Sequence, residues 1–286
     1  MPDLSDSLSA KRDRLLALVR GYGSCAVAYS GGVDSAVVAK AAQLALGDRG
    51  VAVTGVSESL AEGELEQAAA LAHLIGIPHE CISLHELSNP AYAANAPDRC
   101  FHCKSELYTH LEGLAERLGV AVVASGTNAD DLGDYRPGLA AAAEYGVRNP
   151  LAECGITKAE VRELAAAWGL PVADKPASPC LASRIAYGQQ VTPERLRMID
   201  QAEQIVRSLG IRVCRVRYHA DDLARIEVPI EWIARLCEPA TRTMLADQFR
   251  RLGFSAVTID LEGFRSGSLN EAIEVHQLRP LANSDG

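Results

Sequence analysis

Three groups of residues in this chain are of types that do chemistry. The first is Ser30-Gly31-Gly32-Val33-Asp34-Ser35, directly after the apolar run Cys25-Ala26-Val27-Ala28-Tyr29. Two adjacent glycines let the backbone turn and aim bare N–H groups at an anion. Ser30 and Ser35 add hydroxyl donors, and a helix starting here adds partial positive charge. Asp34 would repel a phosphate unless a divalent cation stood between them, so the loop implies Mg²⁺. Without an anion, the same residues make a glycine turn capped by Ser and Asp. There is no G-x-x-x-x-G-K-[ST], which excludes a Walker loop.

The second group is the cysteines, at positions 25, 81, 100, 103, 154, 180, 214 and 237. Cys100-Phe101-His102-Cys103 is a C-x-x-C expected just before a helix, a spacing that lets two thiolates converge on one metal. A structural zinc needs two further soft ligands, and no second C-x-x-C exists; a thioredoxin-like redox pair lacks its usual context. Cys180 stands in the irregular stretch 175–185, where three thiolates would suit a [4Fe–4S] cluster with one open iron. Alternatively Cys180 acts alone as a nucleophile, its thiol acidified by Arg184 and Lys175. Cys25, Cys81 and Cys214 fall in apolar strands and read as core. Cys154 and Cys237 have no partner pattern, and His102 reads as packing or surface.

The third group is cationic. Residues 192–218 hold Arg195, Arg197, Arg207, Arg212, Arg215 and Arg217 against Glu194, Asp200 and Glu203. Arg215 and Arg217 alternate on an expected strand, so both project from one face, and a guanidinium pair suits one phosphate. A solvated basic face is the plainer reading. Glu203 and Glu227 are candidates for binding a cation or aligning a substrate. Arg265-Ser266-Gly267-Ser268 is a weak anion nest.

These residues need elements to position them. A helix is expected over 6–20, strands at 25–29, 51–56, 80–84 and 120–124, and helices over 35–46, 62–75 and 104–118. Strand–helix alternation implies parallel strands with crossover helices, a doubly wound α/β sheet with ligands at the carboxyl strand ends. The loops 30–35 and 125–138 lie at such ends. Thr157 and Glu160 make a capping box for a helix to Trp168, and Thr192 and Pro193 open another that ends near Gly210. Strands at 213–218, 224–228 and 256–260 with a helix over 242–252 complete a smaller α/β domain. The expected domains are 1–188 and 189–286, the second for substrate binding and oligomerisation.

Composition narrows the partners. The chain has 286 residues, 48% hydrophobic and 23% charged, which is globular, and a formal charge of −9 with 5% aromatics. That balance disfavours a nucleic-acid surface, which needs clustered basic or stacking residues. No apolar run approaches the roughly 20 residues of a membrane helix. The start lacks a signal-peptide core. The expectation is a cytoplasmic homo-oligomer acting on a small molecule, with no nucleic acid and no membrane.

SGGVDS after an apolar strand resembles the PP-loop of the N-type ATP pyrophosphatases, over about the first 185 residues in element order. The resemblance implies ATP and Mg²⁺, with pyrophosphate on residues 30–35 and adenine near Val56 and Ser57. It also implies a second phosphate- or metal-side loop at Ser125–Asp131, which contains Gly126, Thr127 and Asp131. Together, SGGVDS, RCFHCKSELY, SGTNADDLGDYRPG, PASPCLASRI and FRSGSLN resemble the LarE family of ATP-dependent sulfur transferases, along nearly the whole chain. That implies adenylation of the carboxylates of a pyridinium-3,5-biscarboxylic acid mononucleotide and their conversion to thiocarboxylates. Cys180 would be catalytic with Asp34 and Arg184, and Ser183, Arg184, Glu203, Arg215 and Arg217 would bind substrate. In this family the pair Cys100 and Cys103 marks members that hold a [4Fe–4S] cluster with Cys180; single-cysteine members instead sacrifice the sulfur of that cysteine and leave dehydroalanine. A tRNA-thiolating enzyme, an ammonia-using amide synthetase and a non-catalytic ATP sensor are the rival readings.

Overall fold

The computed structural model describes residues 4–133, 137–176 and 178–265. The chain divides into two compact units, one of residues 1–86 and 100–178, the other of residues 87–99 and 179–286.

The first unit opens with α1 (Asp6–Gly21), β1 (Cys25–Ala28), α2 (Val33–Leu46), β2 (Gly50–Val56), α3 (Glu64–Ile75) and β3 (His79–Ser83). After the short α4 (Pro90–Ala93), which belongs to the second unit, come α5 (Arg99–Leu118), β4 (Val122–Ala124), α6 (Pro137–Glu144), α7 (Pro150–Glu153) and α8 (Lys158–Ala167). The sheet order is β3-β2-β1-β4, and every pairing is parallel. Alternation along the strands decides how the faces are covered. Cys25 and Val27 of β1 and Ala52 of β2 enter a core with Leu15, Val37, Leu71 and Leu164 from α1, α2, α3 and α8. Ala26, Val51 and Val53 point the other way, to Leu107, Leu111 and Leu114 of α5 and Ala141 of α6. Helices on both faces of a parallel sheet make this unit the doubly wound fold expected. Truncating a fully buried leucine such as Leu15 would cost about 2–5 kcal/mol.

The second unit contains α9 (Pro193–Ser208), β5 (Arg215–His219), β6 (Leu223–Glu227), α10 (Ile230–Cys237), α11 (Pro239–Leu252) and β7 (Ala256–Ile259). Its sheet, β5-β6-β7, is mixed: β5 and β6 are antiparallel, β6 and β7 parallel. Its core takes Ile199 and Val206 from α9, Val216 and Tyr218 from β5, Ile226 from β6, and Phe249 and Phe254.

The caps fall where the side chains demand them. Thr157 and Glu160 form the reciprocal capping box of α8, and the Thr192 side chain accepts from the Arg195 N–H at the start of α9. Two details differ from the sequence reading. The helix expected from Lys104 starts five residues earlier, at Arg99, so the C-x-x-C lies inside α5 rather than before it. Cys81, expected in the core, is exposed because β3 is the edge of the sheet. Among the described residues, no helix is long and apolar enough to cross a membrane.

Candidate functional site

The turn between β1 and α2 is held by its own serines. The Ser30 N–H donates to Ser35 Oγ at 3.2 Å, the two hydroxyls lie 3.3 Å apart, and Ser35 Oγ donates to the Gly32 carbonyl at 3.1 Å. Gly31 sits at φ +68°, and a Cβ there would lie 3.0 Å from Ala68 Cβ on α3, so both conformation and space require glycine. Gly32 is the N-cap of α2. Unlike Ser5, Thr157 and Thr192, which cap α1, α8 and α9 with side-chain oxygens, it offers no side chain to the first-turn N–H groups. A 14-residue helix therefore presents an N-terminus without a side-chain cap at the carboxyl end of β1. Val33 is buried in the core below the turn.

The loop after β4 is seated directly on this turn. A Cβ on Gly126 would lie 2.8 Å from the Ser35 backbone nitrogen and 3.1 Å from the Asp34 carbonyl carbon. Only glycine allows that approach. Ser125 Oγ donates to Asn149 Oδ1 at 2.6 Å and lies 3.0 Å from Thr127 Oγ1, while the Asn128 N–H donates to Asp131 Oδ2 at 3.0 Å. The two loops that the sequence placed at neighbouring strand ends thus form one face of the first unit. Residues 134–136 of the SGTNADDLGDYRPG motif lie outside the described residues.

Asp34 is engaged by the loop after β4 and by the start of α8. Asn128 Nδ2 donates to its Oδ1 at 3.1 Å, and the Lys158 ammonium is ion-paired with its Oδ2. Lys158 was not singled out in the sequence; it is the first residue of α8, and its N–H donates to Asp130 Oδ2 at 2.9 Å. The capping box that fixes the start of α8 was the available signal, since it determines which residue faces the phosphate turn. At the end of β2, Ser57 Oγ donates to the buried Glu86 at 2.6 Å and accepts from the Ser59 N–H. Val56 is held by a hydrogen bond from the Leu84 N–H to its carbonyl.

Cys100 and Cys103 lie three residues apart in α5 and so share a helix face; Cys100 is exposed and Cys103 half-buried. They belong to the first unit, and Cys180, also exposed, belongs to the second. Among the described residues, no group of three or more His, Cys, Asp or Glu side chains is gathered to hold a metal ion. Lys175 is turned to α3, where it pairs with Glu64 at 2.9 Å and donates to Gln67 at 3.1 Å. Ser178 donates to the same Glu64 carboxylate. Ala177 of the PASPCLASRI motif is outside the described residues. Cys25 and Cys214 are buried, and burial pushes their thiols up to about 12 and about 11.

In the second unit the candidate residues Arg184, Glu203, Arg215, Arg217 and Glu227 are buried. Arg184, 1% exposed, donates from Nε to Glu203 Oε1 at 2.9 Å, and Glu203 also accepts from Arg207 and from the Val216 N–H. Arg184 Nη2 donates to Glu203 Oε2 at 3.4 Å, and Nη1 donates to the Pro179 carbonyl, to the Cys180 carbonyl at 3.0 Å and to Ser183 Oγ at 3.0 Å. Its guanidinium is committed to the backbone of the cysteine turn and to Glu203. Arg217 pairs with Glu227 at 2.8 Å, and Arg225 joins the same carboxylate at 3.1 Å. Arg215 lies over the Phe264 ring and donates to the Cys214 carbonyl at 2.7 Å. Burial, with Arg184 beside it, lowers its pKa to about 10. Glu203 and Glu227 are therefore the counter-charges of arginines. Of the late motif only Phe264 and Arg265 are described; Ser266, Gly267 and Ser268 lie outside.

A parallel doubly wound sheet with a glycine-serine phosphate turn at its carboxyl edge defines a PP-loop, ATP-using enzyme. The NAD synthase family matches residues 13–106, from α1 through the phosphate turn to the C-x-x-C. An uncharacterized protein of Synechocystis sp. is 47% identical over 266 residues, 93% of this chain and 99% of its own length. The pyridinium-3,5-bisthiocarboxylic acid mononucleotide synthase of Lactiplantibacillus plantarum is 37% identical over 277 residues, 96% of this chain and 99% of its own. The tRNA-specific 2-thiouridylase MnmA of Azorhizobium caulinodans is 34% identical over 212 residues, but only 60% of this chain and 53% of its own. The chain belongs to the LarE family and is an ATP-dependent sulfurtransferase.

Proposed function

We propose that the chain adenylates the carboxylates of pyridinium-3,5-biscarboxylic acid mononucleotide and converts them to thiocarboxylates. The observation that carries this reading is the near-complete, 37% identical alignment with the Lactiplantibacillus plantarum synthase, which spans both units. The N-terminus of α2, the N–H groups of residues 31–33 and the hydroxyls of Ser30 and Ser35 would bind the pyrophosphate of ATP, with Gly126, Thr127 and Asp131 on the facing loop. Val56 and Ser57 would border the adenine. A substrate carboxylate oxygen bonds to the α-phosphorus, and the bond from that phosphorus to the bridging α–β oxygen breaks, releasing pyrophosphate. Sulfide then attacks the acyl carbon, and the carbon–oxygen bond to AMP breaks. Positioning in line and neutralising the developing charge supply most of the acceleration.

Mg²⁺ fits Asp34 by exchange: its Oδ2, now paired with Lys158, is the ligand atom a divalent cation would take. Cys100, Cys103 and Cys180 are a donor set of the right chemistry for a [4Fe–4S] cluster, which when bound supplies an iron without a protein ligand to carry sulfide. Among this chain's residues, Ser183 would touch the substrate and Arg184 would fix the turn that carries Cys180. Arg215 and Arg217 would face the mononucleotide phosphate, an anion that suits a pair of guanidinium groups. Arg184 and Glu203 would bound the substrate region from beneath. We further infer that residues 189–286 bind substrate and form a homo-oligomer contact, and that the protein works in the cytoplasm without nucleic acid.

The exposed thiol of Cys180 also favours a second reading, donation of its own sulfur. Pyrophosphate release separates the proposed substrate from its rivals. With ATP and Mg²⁺, release should require the pyridinium mononucleotide and be absent with unmodified tRNA. Release with tRNA alone, or none with either, overturns the substrate assignment.

A further inference from the structure

The turn that carries Cys180 has little regular structure, yet its carbonyls are taken up by side chains from distant parts of the sequence. Residues 87–99 belong to the same compact unit as this turn, although some 80 residues of chain separate them. Two side chains of that segment, Asn95 and Arg99, are 0% and 4% exposed. Asn95 Nδ2 donates to the carbonyls of Ile185, Ala186 and Gln189 at 3.2, 2.9 and 2.9 Å. Its Oδ1 accepts from Arg99 Nη1, which also donates to the Ala182 carbonyl at 2.9 Å. Asn95 itself stands at φ +56°, a conformation uncommon outside glycine, and the Gly188 N–H donates to its carbonyl. Arg184 binds the Pro179 and Cys180 carbonyls, and Arg217 the Ser183 carbonyl at 3.2 Å.

An irregular segment drawn out of water must pair its carbonyls, and charged or amide donors do this with fixed geometry. Here buried donors hold the backbone on both sides of Cys180 while the thiol itself stays exposed. A surface turn with no task would leave its carbonyls to solvent.

We propose that Asn95 and Arg99 are positioning residues for sulfur transfer: they lock the 182–189 backbone so that Cys180 is presented from one fixed place. The proposal rests on the sulfur-transfer reading of Cys180. The hydrogen bonds described above lie within the second unit, whereas the phosphate turn belongs to the first, so adenylation should be insensitive to these two side chains.

The test uses the full chain, purified anaerobically, as Arg99→Gln and as Asn95→Gly; glycine accepts φ +56° without strain, so the second variant removes the amide donors and the Oδ1 acceptor without straining the backbone. Three readouts are taken with ATP, Mg²⁺, sulfide and pyridinium-3,5-biscarboxylic acid mononucleotide. Amide hydrogen exchange at Ser183 and Ile185, whose N–H groups bond to the Cys180 and Ala182 carbonyls, should accelerate about tenfold or more, and amides of β1 and β2 should not change. The first-turnover pyrophosphate burst should stay within about twofold of the parent, and thiocarboxylate formation should fall about 10²-fold, the cost of misplacing a reacting group by about an ångström. Unchanged exchange in both variants, parent-like sulfur transfer, or an equal fall in burst and transfer would each overturn the proposal. If Arg99→Gln does not fold, Asn95→Gly decides by the same readouts. If the parent gives no substrate-dependent pyrophosphate, the functional reading fails, and exchange alone decides whether these side chains hold the turn.

Discussion

The candidate sites of the two units are built in opposite ways. In the first, the phosphate turn is made of backbone and small side chains: Gly31, Gly32 and Gly126 bring main chain close to main chain, and the serines bond to one another. Its one ion pair, Asp34 with Lys158, is part-exposed, at 24% and 37%. In the second, the candidate substrate region is built on the buried pairs Arg184–Glu203 and Arg217–Glu227, each partner under about a tenth exposed. A site made of backbone can accept an anion without breaking anything. A site made of buried ion pairs is already neutralised, so its arginines serve the fold first and a ligand second.

That contrast is open to direct attack by substitution. The largest effect should come from Glu203→Ala, which leaves Arg184 buried without its counter-charge; a loss of about 3–5 kcal/mol in denaturant unfolding is expected. A loss below about 1 kcal/mol would show that the pair is dispensable and the contrast wrong. Gly126→Ala comes next, because its Cβ would meet the Ser35 nitrogen at 2.8 Å and the backbone cannot give way as a side-chain tip can. We expect about 1–3 kcal/mol of destabilisation together with loss of ATP-dependent pyrophosphate release.

A pH effect of similar size per pH unit should come from the buried thiols. The Cys25 and Cys214 thiols, raised by burial from 9.0 to about 12 and about 11, keep their protons in the folded chain where the unfolded chain loses them. The native state then binds more protons, so stability falls as pH rises from about 9 towards 11. The slope should reach about 1.4 kcal/mol per pH unit for each thiol, and Cys25→Ala should flatten it in a melting series. The smallest effect belongs to Lys158→Met, whose part-exposed pair is worth less than about 1 kcal/mol to stability. A larger loss in urea titration would move this pair into the class of the buried ones.

The same contrast explains what could be read in the sequence. Backbone sites announce themselves locally. Two glycines flanked by serines after an apolar run marked the phosphate turn, and the strand–helix alternation gave the parallel sheet with both faces covered. Thr157 with Glu160 and Thr192 with Pro193 located two helix starts to the residue. Pairings between distant side chains left no local mark. Nothing near Arg184 in sequence indicates that Glu203 would take its guanidinium, and nothing near Asp34 points to Lys158. Periodicity also misjudged an edge: Cys81 looks like core until β3 is known to lie outermost. The start of α5 was set five residues late although Asp98, a residue type that caps helices, stands directly before Arg99 and was the local signal.

The central claim is that this chain transfers sulfur to an adenylated pyridinium carboxylate while keeping its own cysteines. The most direct measurement is the mass of the intact polypeptide beside the mass of the product, after turnover under anaerobic conditions with ATP, Mg²⁺, sulfide and the mononucleotide. The account predicts a product in which sulfur has replaced carboxylate oxygen, pyrophosphate in step with it, and a polypeptide of unchanged mass. A polypeptide lighter by H₂S at Cys180 would contradict it, as would thiolated product without pyrophosphate.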